Sequence, residues 1–184
     1  MSFILVTGIP GSGKSTLSEA IAKEIDCKVL HVTDLIKDKK FYVEIERDSC
    51  GDPLYVVDMD KLEEYVRKLD GCWIIEGVVV DFVPPEKVKK VIYLYAPVKI
   101  LYERMSSKGY CRKKICDNLE AELVGSYFQI LLEEYNGKVS CLDTSRSLES
   151  TLKEAISIIK CLKSPCSPHP DEEWEDFFRL CPLE

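Results

Sequence analysis

The sequence has little histidine, no long apolar run and no excess of basic residues, and each shortage excludes a class of function. Its two histidines, His31 and His169, argue against a histidine-based metal cluster or nucleophile. No apolar run approaches the roughly 20 residues that a membrane-spanning helix needs. The net charge of −7 argues against sequence-independent binding of nucleic acid, which requires a basic surface, although a local basic patch remains compatible with it.

Cysteine is abundant, but it lacks the spacing of a zinc site. No C-x-x-C pair occurs among the nine cysteines, and Cys111 and Cys116, like Cys161 and Cys166, are separated by four residues. Most zinc sites of this kind use closer pairs. The chain enters an apolar strand at residue 3, so we expect no signal or transit peptide. The cysteine count is odd and other features are intracellular, so we predict reduced thiols and not a disulfide framework.

The most informative motif is a phosphate-binding loop at residues 8–15, GIPGSGKS, which matches G-x-x-x-x-G-K-[ST]. The apolar run FILV at residues 3–6 predicts a buried strand before it, and apolar residues at helical spacing follow from Leu17. A glycine-rich turn with an incidental lysine is the alternative, but strand, loop and helix together favour nucleoside triphosphate binding. The predicted phosphate-binding residues are Gly11, Ser12, Gly13, Lys14, Ser15 and Thr16.

Two of these residues and one distant carboxylate have predicted roles in phosphoryl chemistry. Lys14 is expected to contact the β- and γ-phosphates, and the Ser15 hydroxyl suits a magnesium ligand. A carboxylate at the end of a neighbouring strand should hold the same ion through water. Glu76, which ends the apolar run CWII, is the first candidate, and Asp81 is the second because residues 78–80 extend that run. Either carboxylate has the alternative of capping a helix or turn.

Short apolar strands alternate with helical patterns along the chain. Strands are predicted at residues 3–6, 28–32, 72–75, 91–95 and 138–142, and helices at 60–69, 98–135 with an interruption near 108–110, and 148–162. Such alternation indicates a parallel sheet covered on both faces. Thr33 or Asp34 is placed to cap a further helix, and residues 38–58 are predicted to be a polar, mobile insertion.

A group of basic residues follows the fourth predicted strand. Arg104 and Lys108 are four residues apart on one helix face, and Arg112, Lys113 and Lys114 come after Gly109. Such a run is commonly a solvated helix surface. Phosphoryl transfer, however, needs several cations on the moving charge, so we expect at least two of the five to act beside the phosphate-binding loop.

The end of the chain differs in composition from the rest. Residues 164–170 form a proline-rich break, and an acidic, aromatic segment follows in which Trp174, Phe177, Phe178 and Cys181 fall near one helical face. We expect a helix that docks on its own domain, with a partner-binding motif as the alternative.

Residues 3–135 together resemble the adenylate kinases, and most closely the small nuclear adenylate kinases of ribosome maturation, isoenzyme six. The resemblance rests on five motifs, which are the loop at 8–17, Asp34-Leu35 and the segments 101–104, 108–114 and 117–122. The resemblance implies an α/β P-loop NTPase fold with a five-stranded parallel sheet flanked by helices. It also implies a kinase domain at 1–163 with a monophosphate-binding segment near 33–54 and a short lid near 107–117. Residues 164–184 form the separate tail.

The resemblance further implies an ATP:AMP phosphotransferase that uses Mg²⁺ and also hydrolyses ATP. Lys14, Glu76 and Lys108 are the implied catalytic residues. Arg104 is expected to lie against the adenine of ATP, and Lys108 to contact phosphate; Asp34 and Lys37 are expected to bind AMP. Family members assist processing of small-subunit pre-ribosomal RNA with a ribosomal protein. The implied partners are therefore a basic small-subunit protein and, indirectly, the RNA, with nuclear and cytoplasmic location and no membrane.

The sequence departs from the family pattern at three positions. The family usually has Asp-x-His where this chain has residues 76–78, EGV, so Val78 replaces the histidine. Lys37 and Lys108 stand where arginines are usual. Lysine offers a point charge without the bidentate fork of arginine, so we expect slow turnover. Three functions stay open: an ATP:AMP phosphotransferase, an ATPase that acts as a ribosome-assembly factor, and a kinase of another small substrate.

Overall fold

The computed structural model describes residues 2–160 and 173–182, which form seven strands and eight α-helices. The strands are β1 Ser2–Thr7, β2 Lys28–His31, β3 Tyr42–Arg47, β4 Pro53–Val57, β5 Cys72–Glu76, β6 Val88–Tyr95 and β7 Val139–Asp143. The helices are α1 Lys14–Ile25, α2 Val32–Lys39, α3 Met59–Arg67, α4 Val98–Ser107, α5 Arg112–Val124, α6 Ser126–Glu134, α7 Leu148–Lys160 and α8 Glu173–Leu180. None of these helices is both long and apolar enough to cross a lipid bilayer.

Five strands form a parallel sheet in the order β2-β5-β1-β6-β7. In β1, Phe3 and Leu5 are buried in one apolar cluster with side chains of α2, α3 and α6. Ile4 and Val6 are buried in the opposite cluster, with side chains of α1 and α7. Successive side chains of a strand point to opposite faces, so a strand buried on both faces is continuously apolar. The predicted α/β fold with a five-stranded parallel sheet flanked by helices is confirmed.

The segment predicted as a mobile insertion, residues 38–58, is structured. It contains the end of α2 and an antiparallel hairpin of β3 and β4. The turn at residues 48–52 is held by the carboxylate of Asp48, which accepts the backbone N–H groups of Cys50 and Asp52, both at 2.9 Å. Val43 and Ile45 alternate with charged residues, as in a strand with one apolar face, but they are 69% and 50% exposed, so this face of β3 is not part of the core.

Two predicted helix boundaries were wrong. Neither Thr33 nor Asp34 caps α2, because the helix already begins at Val32 and His31 occupies the N-cap position. The helical stretch 98–135 is broken at the expected loop after Ser107 and a second time at Gly125, whose φ is +70°. Glycine adopts this left-handed conformation without the strain that a side chain introduces, so a new helix starts in another direction.

The prediction of reduced thiols was wrong for all seven cysteines among the described residues. Six of them form three disulfides with one another, with Cα–Cα distances of 4.9, 5.9 and 5.7 Å, namely Cys27–Cys72, Cys50–Cys111 and Cys116–Cys181. Cys141 is disulfide-bonded as well. Cys111 and Cys116, which were weighed as a zinc pair, therefore bond to different partners. The pairing joins residues 45 to 65 positions apart, so it follows from the topology of the fold and not from local spacing. Cys161 and Cys166 lie outside the described residues.

The C-terminal helix α8 docks on α4 and α5. Phe177 is 5% exposed in a cluster with side chains of both helices, whereas Phe178 is 49% exposed. The Glu173 carboxylate accepts the backbone N–H of Val98 at 2.7 Å, so it occupies the N-terminus of α4. This packing supports the docked helix over the partner-binding motif. The proline-rich break at 164–170, with His169, lies outside the described residues.

The two neighbouring phenylalanines of α8 provide a matched test of this docking. Phe177→Ala should lower the free energy of unfolding by about 3 kcal/mol, because it removes a buried ring and leaves a cavity. Phe178→Ala should lower it by about 1 kcal/mol or less, because half of that ring is solvated. Denaturant unfolding with intact disulfides measures both values, and equal losses would contradict the docking.

Candidate active site

The phosphate-binding loop lies at the carboxyl edge of the sheet, between the end of β1 and the start of α1. Gly13 has a φ of +88° and immediately precedes Lys14, the first residue of the helix. This conformation, which favours glycine, turns the chain into the helix, so that its free N–H groups and the positive end of its dipole face the loop. Within the loop, the Ser12 hydroxyl is buried and has no hydrogen-bond partner among the described residues.

Lys14 is folded back over the loop. Its Nζ donates to the backbone carbonyl of Ile9 at 3.0 Å. Burial lowers the pKa of Lys14 to about 8, although the nearby carboxylate of Glu76 opposes that shift. The direct partner of the ammonium group is thus a neutral carbonyl oxygen. The charged oxygens of a bound polyphosphate accept a stronger hydrogen bond.

Ser15 and Glu76 meet at the same edge of the sheet. The Ser15 hydroxyl donates to Oε1 of Glu76 at 3.3 Å. A hydroxyl oxygen and a carboxylate oxygen this close together are the hard donors that Mg²⁺ prefers, so the two residues fit the ion that the fold family uses. Glu76, with 8% of its surface exposed, closes β5 next to the end of β1.

The second candidate, Asp81, lies in a different environment. Strand β5 ends at Glu76, and the chain turns away before Asp81. Asp81 accepts the Tyr127 hydroxyl at 3.3 Å, and the same hydroxyl accepts the backbone N–H of Val80. Burial, together with the charge of Asp81, raises the pKa of Tyr127. The contact with Ser15 therefore favours Glu76 as the magnesium-binding carboxylate.

His31 is a further neighbour of Glu76, although the sequence indicated no binding or catalytic role for it. Its Nδ1 lies 2.7 Å from Oε2 of Glu76, and its Nε2 lies 3.0 Å from Oε1 of Glu19 on α1. Burial opposes a charge on His31, but the hydrogen bonds to the two carboxylates outweigh it and raise its pKa.

Two cavities lie on either side of the loop. The first, called the arginine cavity, has a volume of about 340 Å³ and is lined by Gly11, Thr16, Arg104, Lys108, Thr144 and Arg146 among others. Arg104 crosses it, since its guanidinium donates to the carbonyl of Thr144 at 2.7 Å and to that of Gly11 at 3.3 Å. The guanidinium is thus held between the loop and the end of β7, and its planar shape suits stacking against an aromatic base.

The second, called the hairpin cavity, has a volume of about 900 Å³. Its lining comes from the loop, α2, the β3–β4 hairpin and α5, and includes Pro10, Thr33, Ile36, Lys37, Tyr55 and Asn118. The Lys37 ammonium lies 5.9 Å from the centre of the Tyr55 ring. An apolar and aromatic lining with cations at its edge suits a nucleotide's base and phosphate.

A third, central cavity of about 220 Å³ connects the other two by shared residues. Lys14, Ser15 and Glu76 line it. It shares Gly11, Gly13, Thr16 and Lys108 with the arginine cavity, and Pro10, Thr33, Val78 and Tyr110 with the hairpin cavity. The predicted phosphate-binding groups thus lie between two pockets of ligand size.

The structure brings together most of the predicted residues. Arg104 and Lys108 line the arginine cavity, whereas Lys114 pairs with Asp48 and Arg112 donates to a carbonyl of the C-terminal segment. Lys37 lines the hairpin cavity. Asp34 lies exposed in the first turn of α2, one position beyond a residue that lines the same cavity. Its binding role stays a prediction.

Thr144 and Arg146 were missed by the sequence reasoning, and Thr33 was named there only as a candidate helix cap at the start of the monophosphate-binding segment. Thr144 and Arg146 follow β7, and Thr33 comes just after β2. Residues directly after parallel strands lie at the carboxyl edge of the sheet, where such folds bind ligands. Their position after a predicted strand was therefore the sequence signal for these three residues.

The fold and site define a nucleotide-binding protein of the P-loop class. Residues 4–125 match the family model described as an AAA domain. Among solved structures, a gluconokinase from Sinorhizobium meliloti is similar with a TM-score of 0.60 and 19% identity, covering 86% of this chain and 91% of that one. At this identity the likeness shows a common fold.

The chain belongs to the adenylate kinase family, with isoenzyme 6 homologues among its relatives. It is 32% identical over 161 residues to a putative adenylate kinase of Methanocaldococcus jannaschii, covering 85% of each chain. It is 30% identical over 171 residues to the adenylate kinase isoenzyme 6 homolog FAP7 of Saccharomyces cerevisiae, covering 91% of this chain and 85% of that protein.

Removing the Lys14 ammonium should abolish most catalysis. Lys14→Ala is expected to lower the turnover of ATP on the order of a hundredfold or more, because a cation is lost where charge develops. Lys23→Ala changes an exposed lysine of the same helix and serves as the control. Turnover close to the wild-type rate in a folded Lys14→Ala protein would refute the assigned site.

Glu76 and Asp81 offer a paired test of the magnesium site. Glu76→Gln should raise the Mg²⁺ concentration needed for half-maximal turnover more than it weakens metal-free ATP binding, because an amide is the poorer ligand. Asp81→Asn should leave this requirement unchanged. The opposite result would move the site to Asp81.

The lowered pKa of Lys14 predicts proton uptake on nucleotide binding. The free protein loses this proton near pH 8, and the negative charge of ATP should raise the pKa of Lys14 in the complex. At pH 8.5 without magnesium, binding should therefore take up protons, and the affinity should fall as the pH rises. Calorimetry in buffers of different ionisation enthalpy measures the uptake. Lys14→Arg stays charged and should show none.

Proposed function

We propose that the protein transfers the γ-phosphoryl group of ATP to AMP. The observation that carries this proposal is the order of the three cavities, in which the central cavity separates two larger ones and shares residues with each. A hydrolase needs one nucleotide pocket, whereas a phosphotransferase between two nucleotides needs two that open on common phosphate-binding residues. The names of the relatives, adenylate kinases, agree with this proposal.

In this proposal, each cavity binds a different part of the reacting nucleotides. The arginine cavity takes the nucleoside of ATP against Arg104, and the hairpin cavity takes AMP with its phosphate towards Lys37. Lys14 and Lys108 face the central cavity and stabilise the transferring phosphoryl group, whose transition state needs charge compensation more than covalent help. Ser15 and Glu76 hold Mg²⁺, which supplies further positive charge to the phosphates. ATP hydrolysis follows when water takes the place of AMP.

The decisive experiment measures ATP turnover without a second substrate and with AMP, GMP, CMP or UMP in turn. The proposal expects ADP formation from AMP at the highest rate and slow hydrolysis without a monophosphate. Turnover that no monophosphate accelerates would leave an ATPase. Acceleration by a different small acceptor alone would leave a kinase of another substrate.

Lys37 is expected to set the affinity for AMP. Lys37→Ala should raise the KM for AMP on the order of tenfold and leave the KM for ATP unchanged, because the side chain faces the hairpin cavity alone. Lys37→Arg should lower the KM for AMP through bidentate contacts with phosphate. Lys39→Ala, on an exposed position of the same helix, is the control. Equal effects of Lys37→Ala and Lys39→Ala would contradict the assignment.

A second function has support from the charge of the chain. With a net charge of −7, the protein suits contact with a basic partner better than direct contact with RNA. Together with the family resemblance, this charge favours a role in small ribosomal subunit maturation, in nucleus and cytoplasm, through a basic ribosomal protein. Salt-sensitive binding to such a protein and defective small-subunit RNA processing after depletion are the expected results. Normal processing with a disturbed AMP to ADP ratio would leave a metabolic kinase.

A further inference from the structure

His31 connects the strand end that carries Glu76 with the helix that carries the phosphate-binding lysine. Its Nδ1 contacts Glu76 at 2.7 Å, and its Nε2 contacts Glu19 at 3.0 Å. Glu19 lies on α1, the helix that begins with Lys14 and Ser15. The imidazole is thus held between a carboxylate of the loop helix and the carboxylate of the predicted magnesium site.

The two oxygens of Glu76 have different partners as a result. Oε2 is taken by His31, and Oε1 faces the Ser15 hydroxyl at 3.3 Å. A glutamate has one more rotatable bond than an aspartate, so an unanchored carboxylate loses more conformational freedom when a ligand fixes it. A carboxylate that is already anchored presents Oε1 towards Ser15 before the metal ion binds.

We infer that His31 is a positioning residue, which fixes the carboxylate of Glu76 through Oε2 so that its other oxygen, Oε1, faces Ser15 and the metal position beside it. This inference rests on the proposed magnesium role of Glu76. It adds a residue from β2 to a site otherwise built from the loop and β5. Loss of such a partner behind a metal-binding side chain typically weakens metal affinity about tenfold or more.

The test compares His31→Ala with His31→Asn. The asparagine amide stands near the position of Nδ1 and keeps a donor towards Glu76. Two readouts are needed: the Mg²⁺ concentration for half-maximal turnover, and the affinity of the ATP-bound protein for Mn²⁺, followed by electron paramagnetic resonance. His31→Ala should weaken both on the order of tenfold, and His31→Asn should restore most of the loss. Metal-free ATP affinity and thermal unfolding should change little in either variant.

The outcomes separate this inference from the assignment on which it depends. If Glu76→Gln weakens Mn²⁺ binding and His31→Ala does not, the positioning role is refuted and Glu76 stands. If neither variant weakens it, the magnesium role of Glu76 fails first. A His31→Ala protein that loses metal-free ATP affinity in equal measure would show a general structural role, which also overturns the inference.

A different observation concerns the mouth of the hairpin cavity. The disulfide Cys50–Cys111 joins the turn of the β3–β4 hairpin to the residue that precedes α5, with a Cα–Cα distance of 5.9 Å. Lys114 spans the same gap, since its Nζ lies 2.5 Å from Asp48 and 3.3 Å from Asp52. A covalent bond and two ion pairs thus close one side of the cavity.

The tip of the hairpin has few other attachments. Strands β3 and β4 pair with each other and not with the five-stranded sheet. Tyr42, Tyr55 and Val57 pack against the core, but Val43, Ile45 and Leu54 are exposed. A segment that buries little apolar surface moves easily, so the crosslink decides how far the tip of the hairpin separates from the loop between α4 and α5.

We propose that Cys50–Cys111 is a redox latch on the monophosphate pocket, opened by a dithiol reductant. One thiolate of the dithiol attacks a sulfur of the bond and forms a mixed disulfide. Its second thiol displaces the remaining cysteine. The dithiol ends as a cyclic disulfide, and its two electrons and two protons appear as the thiols of Cys50 and Cys111. The latched form exchanges AMP slowly, and the open form exchanges it fast. The proposal rests on the proposed function for its substrate.

The first arm of the test measures release of fluorescently labelled AMP from the wild type and from Cys50→Ser/Cys111→Ser, each with and without dithiothreitol. Reductant should raise the wild-type release rate on the order of tenfold. The double variant should release the label fast in both conditions. Since dithiothreitol also reduces the other disulfides, an equal acceleration in the double variant would overturn the latch.

The second arm needs no nucleotide. Amide hydrogen exchange of residues 42–57 should accelerate on reduction of the wild type, while the buried strand β6 serves as an internal reference. No acceleration in the hairpin overturns the latch, whichever substrate the cavity takes. Acceleration without a change in AMP release supports the latch and instead refutes the assignment of the cavity to AMP.

Discussion

The start of the phosphate-binding loop passes so close to the end of β6 that no side chain fits between them. Gly8 has a φ of +140°, and a Cβ atom built on it lies 2.3 Å from the carbonyl oxygen of Leu94 and 2.9 Å from the Ser12 hydroxyl. The loop is therefore seated directly on the sheet, and the sheet determines where α1 begins. Every contact of Lys14 and Ser15 depends on that seating, because both lie in the first turn of the helix.

The carboxyl edge of the sheet then collects charged groups from elements far apart in sequence. Glu76 ends β5, His31 ends β2, and Thr144 follows β7, where it holds Arg104. Glu76 interacts with both His31 and Lys14, whereas Arg104 is held by backbone carbonyl groups. Burial lowers the pKa of Lys14 while Glu76 opposes the change, a balance in which the lysine retains its proton near neutral pH.

Covalent bonds hold the parts that have little core of their own. The hairpin is tied to the start of α5 by Cys50–Cys111, and the end of α8 is tied to α5 by Cys116–Cys181. In α8 the buried ring of Phe177 adds apolar contact, whereas the hairpin packs only Tyr42, Tyr55 and Val57 against the core and exposes Val43, Ile45 and Leu54. The crosslink therefore matters most for the hairpin, which closes the larger ligand cavity.

Local patterns sufficed to predict the loop and the parallel sheet and to make Glu76 a candidate metal ligand. The loop motif is contiguous, and strands buried on both faces are apolar without interruption. The choice between Glu76 and Asp81 needed the structure, because only the pairing of β5 with β1 shows that the strand ends at Glu76. The next residue, Gly77, donates its N–H to the carbonyl of Val6 at 3.2 Å, and the chain then turns away from the sheet before it reaches Asp81. The hairpin, the disulfides and the contact of His31 were likewise decided by tertiary structure. The three disulfides and the contact of His31 with Glu76 join residues 45 to 65 positions apart, and no spacing along the chain encodes which side chains the fold brings within bonding distance.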